Sequence, residues 1–223
     1  MAEFCTAWYA IIRSRVVQAR NPTKGRVART RTFDLDEALE QAMLVFWRLG
    51  YERATLTDLT EAMGINRPSL YAAFGNKEQL FRRSLEAYAT GPSGYERAAL
   101  EQPTAYEVAA ALLRGGADLQ TQPDLPHGCL AVLSAPSNAD ESSPVGKALV
   151  EARVAGEEAI VERFERAQAE GDIPTDVDVK QLAGFIRTVV YGMTVKAASG
   201  ATRDELEGVI ELALSAWPRR ERA

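Results

Sequence analysis

Thr55, Thr57, Asn66, Arg67, Ser69, Tyr71 and Lys77 lie within one short stretch of the chain, and each can donate a hydrogen bond. The stretch holds no paired carboxylates and no nucleophile beside a base. What such a set can do is grip phosphate oxygens and base edges: Arg and Lys bring charge, while hydroxyl and amide groups bring directed hydrogen bonds. Pro68 and Ala72 belong to the same surface, Pro68 in the first turn of its helix and Ala72 as a methyl group able to meet thymine. Lys77 opens the following helix, where its ammonium and the free N–H groups form a second phosphate clamp.

The other candidate chemistry lies at His127-Gly128-Cys129. A histidine beside a thiol can bind metal or act as a nucleophile pair, but no third group stands at a recognisable spacing. Cys5 and Cys129 are too far apart to suggest a zinc motif or a disulfide framework. No metal and no cofactor is expected, and the compartment expected is a reducing cytoplasm. No run of 18 apolar residues is present to cross a membrane.

The elements that must position these residues all read as helices. Residues 34–50 carry Leu35, Leu39, Ala42, Met43, Phe46 and Leu49 on one face, with Gly50 as the stop. Thr55 to Asp58 is a capping arrangement for a short helix ending at Met63. Gly64 then supplies a tight turn, and Asn66 caps a second short helix that runs to about Phe74. Leu59, Met63, Ile65 and Leu70 fall where the two helices pack together. Asn76 caps a longer helix, and Gly91-Pro92-Ser93-Gly94 marks a break. Further helices are expected over 95–101, 105–121, 128–134, 143–171, 177–198 and 202–217, the 177–198 helix buried on more than one face. The fold class is therefore all-α. Its expected parts are an extension over residues 1–25, a helix-turn-helix domain over 26–90, and a larger helical domain over 91–223.

Charge is divided along the chain although the whole carries −5. Residues 1–33 hold seven basic residues against one acid, and residues 91–223 hold thirteen against twenty-one. A basic arm with an acidic body is the asymmetry expected when one end meets a polyanion. Arg29 and Arg31, with Lys24 and Arg26, are the candidate arm contacts.

The string Phe33-Asp34, Gly50-Tyr51, Thr55-Leu56-x-x-Leu59, Gly64-Ile65-Asn66, Leu70-Tyr71-x-x-Phe74 and Lys77-Glu78-x-Leu80 resembles the TetR family of bacterial transcriptional regulators over about residues 31–90. The resemblance implies a homodimer that binds a palindromic double-stranded operator, represses nearby genes and is released by a small-molecule effector in the C-terminal domain. It implies no enzymatic activity. Three features depart from the family pattern, one of them the extension before about residue 25, which that pattern does not require. Thr60 stands where alanine is commoner, and Ala72-Ala73 replaces larger polar residues, leaving methyl contact and indirect readout to carry more of the specificity.

In the C-terminal part, Tyr106, His127, Cys129, Phe164, Phe185, Arg187 and Tyr191 are the candidate pocket residues, with plain core or dimer interface as the competing reading of the aromatics. The last two long helices carry more apolar residues than one partner face can cover, which points to dimerisation through them. The alternatives are a Cys129-based redox or electrophile-sensing regulator, an activator, or a small helical enzyme using His127 and Cys129.

Overall fold

The computed structural model describes residues 34–134 and 143–218; among them every regular element is helical. The order is α1 (Leu35–Arg53), α2 (Leu56–Met63), α3 (Arg67–Phe74) and α4 (Lys77–Thr90), followed by a 3-10 turn at Pro92–Gly94. Then come α5 (Tyr95–Leu100), α6 (Ala105–Gln120), α7 (Leu130–Leu133), α8 (Pro144–Ala169), α9 (Val179–Ala198) and α10 (Arg203–Ser215). The extension over 1–25 and the arm residues Lys24, Arg26, Arg29 and Arg31 lie outside the described residues.

Local chemistry sets most of these boundaries. Asp34, Asn66, Ser143 and Asp178 each accept backbone N–H bonds at a helix start. Thr55 with Asp58, Asn76 with Gln79, Thr104 with Glu107 and Thr202 with Glu205 form reciprocal capping boxes. Each such cap satisfies donors that would otherwise stay unpaired, a contribution of about 1 kcal/mol. Gly50, with φ 73, breaks the regular course of α1, and one further turn continues to Arg53.

Two apolar clusters organise the packing. Phe46, Leu59, Leu70, Leu80 and Phe81 centre the first, which also takes in Leu119, Leu125, Leu130, Val145 and Leu149 from well beyond residue 91. Specific contacts reinforce this seam. Trp47 donates its indole N–H to the Gly128 carbonyl at 3.0 Å, and its ring meets Tyr88 edge-on at 4.8 Å. Arg82 donates to the Pro144 carbonyl at 2.7 Å, tying the start of α8 to α4. The second cluster joins α6, α8, α9 and α10 around Leu113, Phe164, Ile186 and Ile210.

Within one chain α9 is covered on one face rather than several. Ala183, Ile186, Val190, Met193 and Ala197 are buried, whereas Phe185 is 42% and Val195 56% exposed. On α10, Leu212 is 74% exposed. The apolar side chains counted along the sequence are present, but part of that face has no cover from the chain's own helices.

Candidate nucleic-acid interface and cavity

The helix-turn-helix is built on a small buried core. Leu59 and Leu70 are fully buried between α2 and α3, Met63 is nearly so, and Ile65 packs against them. Gly64 sits at φ 65, in the left-handed region, so that the chain can leave α2 and enter α3 at once. A Cβ there would meet nothing within 4 Å, so the requirement is one of backbone conformation and not of space. Thr60 is accommodated because its hydroxyl donates to the Leu56 carbonyl of its own helix at 2.8 Å.

With the core fixed, the polar side chains face outward. Asn66 is exposed, and its Oδ1 accepts from the Ser69 N–H at 2.9 Å. Arg67 is exposed and donates to the Thr57 hydroxyl at 3.1 Å, bridging the leading end of α3 to α2. Pro68 and Ala72 are exposed, Ser69 is half-buried, and Tyr71 is 48% exposed despite its size. Ala73 packs against the core instead. Thr55 is committed to its capping box, its hydroxyl 2.6 Å from Asp58, so what it contributes to the surface is the end of α2. The Lys77 ammonium lies 4.4 Å over the Tyr51 ring at the start of α4. Burial pushes the Lys77 pKa down, with Glu52 pulling against it, and burial pushes the Tyr51 phenol up.

A cavity of about 60 Å³ opens among the C-terminal helices and the end of α4. Of the candidate pocket residues it gathers Cys129, Arg187 and Tyr191. The remaining four lie elsewhere: Phe164 is buried and Tyr106 exposed, both ringed against Trp217, while His127 and Phe185 are exposed. The sequence reading missed Tyr88, Tyr95, Glu96, Gln120, Arg153, Gly156 and Thr194, which also line the cavity. Arg187 spans it, donating to Glu96 at 3.2 Å from two nitrogens and also to the Gly156 carbonyl. Gly156 permits this approach, since a Cβ would stand 2.7 Å from the guanidinium. Burial holds the Tyr88 phenol well above the usual range, and the neighbouring Cys129 thiol adds to the shift. Burial also pushes the Cys129 thiol up, with Tyr88 and backbone N–H groups only partly offsetting it. A raised thiol is a weak nucleophile, which weighs against Cys129 as a sensor. Among the described residues no group of three His, Cys, Asp or Glu side chains could hold a metal, and no helix is long and apolar enough to cross a membrane.

An N-terminal helix-turn-helix carried by a larger helical body is the build of a DNA-binding regulator. Residues 38–83 match the family described as bacterial regulatory proteins, tetR family, and residues 108–212 match the tetracyclin repressor-like C-terminal domain. The HTH-type transcriptional repressor ComR of Escherichia coli (strain K12) is 33% identical over 192 residues, covering 85% of this chain and 91% of ComR. Among solved structures, the TetR family transcriptional regulator CifR, a cysteine mutant complexed with 26bp double-strand operator DNA, is 46% identical with a TM-score of 0.81. That match covers 85% of this chain and 100% of the CifR chain. A putative TetR transcriptional regulator from Rhodococcus sp. RHA1 is 40% identical, with a TM-score of 0.58 over 82% of this chain and 98% of its own. The chain belongs to the TetR family of bacterial transcriptional regulators.

Proposed function

We propose that the protein is a homodimeric repressor that binds a palindromic operator through the exposed end of α3 and is released by a small molecule held among its C-terminal helices. The observation that carries the reading is the exposure of Arg67 and Tyr71, with half-buried Ser69 between them, above a fully buried Leu59–Leu70 core and with Lys77 beside them. In this reading the end of α3 enters the major groove, Tyr71 and Lys77 take phosphates, and Arg67, with Thr57 behind it, faces base edges and backbone. Thr55 and Asn66 orient helix ends toward phosphates, and Pro68 and Ala72 fill the groove surface. Arg29 and Arg31 extend the contact along the duplex. Residues 26–90 serve as the DNA-binding part and residues 91–223 as the effector and dimer part. The site of action is the cytoplasm.

Dimerisation uses α9 and α10, whose Phe185, Val195 and Leu212 are left exposed among the described residues of one chain. Gly192 and Gly208 are exposed on the same two helices, which lets a second pair of helices approach closely. Release follows from a shift in the spacing of the two α3 helices, transmitted through α4, which carries Lys77 at one end and the cavity residue Tyr88 near the other. The coupling is bounded by the effector's difference in affinity for the two spacings. The test is hydroxyl-radical footprinting on DNA flanking the gene. The reading expects two symmetric protected half-sites roughly 34–36 Å apart. A single asymmetric patch, or uniform protection without sequence preference, would reject it.

A further inference from the structure

The cavity described above carries two buried polar atoms that the protein leaves without partners. Gln120 is 2% exposed, and its Oε1 accepts no hydrogen bond; Arg187 is 5% exposed, and its Nε donates none. The orientation of the Gln120 amide is fixed by its neighbour. The Thr194 hydroxyl spends its proton on the Val190 carbonyl at 3.0 Å, so it can only accept from Gln120, and Gln120 must present Nε2 to it at 2.8 Å. Oε1 is thus a true acceptor in need of a donor. Leaving such groups unpaired costs about 1–3 kcal/mol each, more for a charged one, and two of them on the wall of one cavity are explained by a bound group that pairs them.

Charge narrows what that occupant is. Three ionisable groups of fixed sign line the cavity: Arg153, Arg187 and Glu96. Both Glu96 oxygens are engaged, Oε1 by the Ser93 hydroxyl at 3.1 Å and Oε2 by Arg187. Arg153 has no carboxylate within 4 Å among the described residues, so two cations against one anion leave one positive charge unmatched at the cavity. Tyr88, Tyr95 and Tyr191 supply aromatic wall, and the volume of about 60 Å³ admits on the order of four water-sized groups.

We propose that this cavity takes a small hydroxylated organic anion of the 2-hydroxy-acid class, its hydroxyl meeting Gln120 Oε1 and its carboxylate neutralising the charge of Arg187 and Arg153. The proposal rests on the effector reading above, because it names the chemistry of the molecule that would release the operator. A neutral diol satisfies Gln120 but leaves the charge unmatched. A plain carboxylic acid matches the charge but leaves the amide oxygen unpaired.

The test uses the full chain and four probes: glycolate, lactate, propionate and 1,2-propanediol. Thermal shift and calorimetry are run without DNA, and operator release is measured separately. The expected result is that glycolate or lactate raises Tm in a dose-dependent way and binds at least ~10-fold more tightly than propionate, which leaves a buried acceptor unpaired, or than the diol, which leaves the charge unmatched. Arg153→Gln, at a half-exposed position with no ion pair among the described residues, should weaken the hydroxy acid about 10-fold with wild-type Tm in the absence of ligand. Gln120→Leu should remove the preference for lactate over propionate. Equal or tighter binding of the diol, failure of both hydroxy acids to bind, or an Arg153→Gln variant with unchanged affinity would overturn the assignment. Hydroxy-acid binding without operator release would leave the site standing and reject the effector reading. Operator binding released by some other compound, with no response to the hydroxy acids, would do the reverse.

Discussion

Replacing Lys77 with methionine isolates the electrostatic part of the DNA grip. Methionine keeps an unbranched apolar side chain beside Tyr51, so the variant loses a cation–π contact worth roughly 0.5–1 kcal/mol and is relieved of the cost of burying a charge, which pushes the lysine pKa down. Folding stability should therefore change little. On DNA the account is different. Each phosphate contact removed lowers the salt slope by about 0.9, so two copies in a dimer lower it by about 1.8. Losing about 1 kcal/mol per copy weakens operator binding roughly 30-fold at 50 mM salt. Raising the salt fourfold, to 200 mM, shrinks that difference by about 12-fold, leaving a deficit of only two- to threefold. Fluorescence anisotropy on a labelled operator duplex across this range gives both quantities. A variant with weakened affinity but an unchanged salt slope would refute the phosphate assignment, because it would mean that Lys77 acts through packing on Tyr51.

Three further outcomes follow from the fold. Trp47→Phe removes the donor to the buried Gly128 carbonyl and leaves a smaller ring against Tyr88; a loss of about 2–4 kcal/mol in urea unfolding is expected, and a loss under 0.5 kcal/mol would contradict the role given to this bond. Gly64→Ala meets no atom within 4 Å, so it should cost only the left-handed strain of about 1–2 kcal/mol, with Gly64→Asn costing less; equal stability of all three proteins would show that the turn does not demand positive φ. Hydrogen bonds from Thr55 and Thr202 hold the Asp58 and Glu205 carboxyls below their ordinary values of 3.8 and 4.5, and Arg203 does the same for Glu207. Because these folded pKa values are depressed, the stabilisation is complete above the ordinary values and fades as pH falls through the lower folded ones. The triple variant Asp58→Asn, Glu205→Gln, Glu207→Gln should flatten the acid limb of a Tm–pH curve, and an unaltered limb would show that other groups set it.

What could be read in the sequence is what chain neighbours decide. The caps at Asp34, Thr55, Asn66, Asn76, Ser143 and Thr202 each act within a few residues of their own position, so the starts of α1 to α4, α8 and α10 were accessible, whereas the turn of α1 beyond Gly50 was not. The same holds for the helix-turn-helix surface, because burying Leu59 and Leu70 turns Arg67 and Tyr71 outward by helical spacing alone. The cavity was less accessible, for a physical reason. Its central contact joins Arg187 to Glu96 across 91 residues, and the seam bond joins Trp47 to Gly128 across 81. No local period encodes such pairs. Aromatics such as Tyr106 and Phe164 looked like pocket walls because their hydrophobicity is the same whether they face a ligand or Trp217. Gln120 and Thr194 gave no signal, since a polar residue inside an apolar pattern reads as a lapse until its partner is located in space.

Whether the exposed end of α3 holds operator DNA is decided by comparing the wild-type chain with the Arg67→Ala, Ser69→Ala, Tyr71→Phe triple variant in competition anisotropy at one salt concentration. All three positions lie outside the buried core, so Tm and subunit mass should match the wild type. Operator affinity should fall by about 100-fold or more, toward the level of nonspecific duplex. A variant that keeps wild-type affinity and operator preference would place the recognition surface elsewhere and contradict the account.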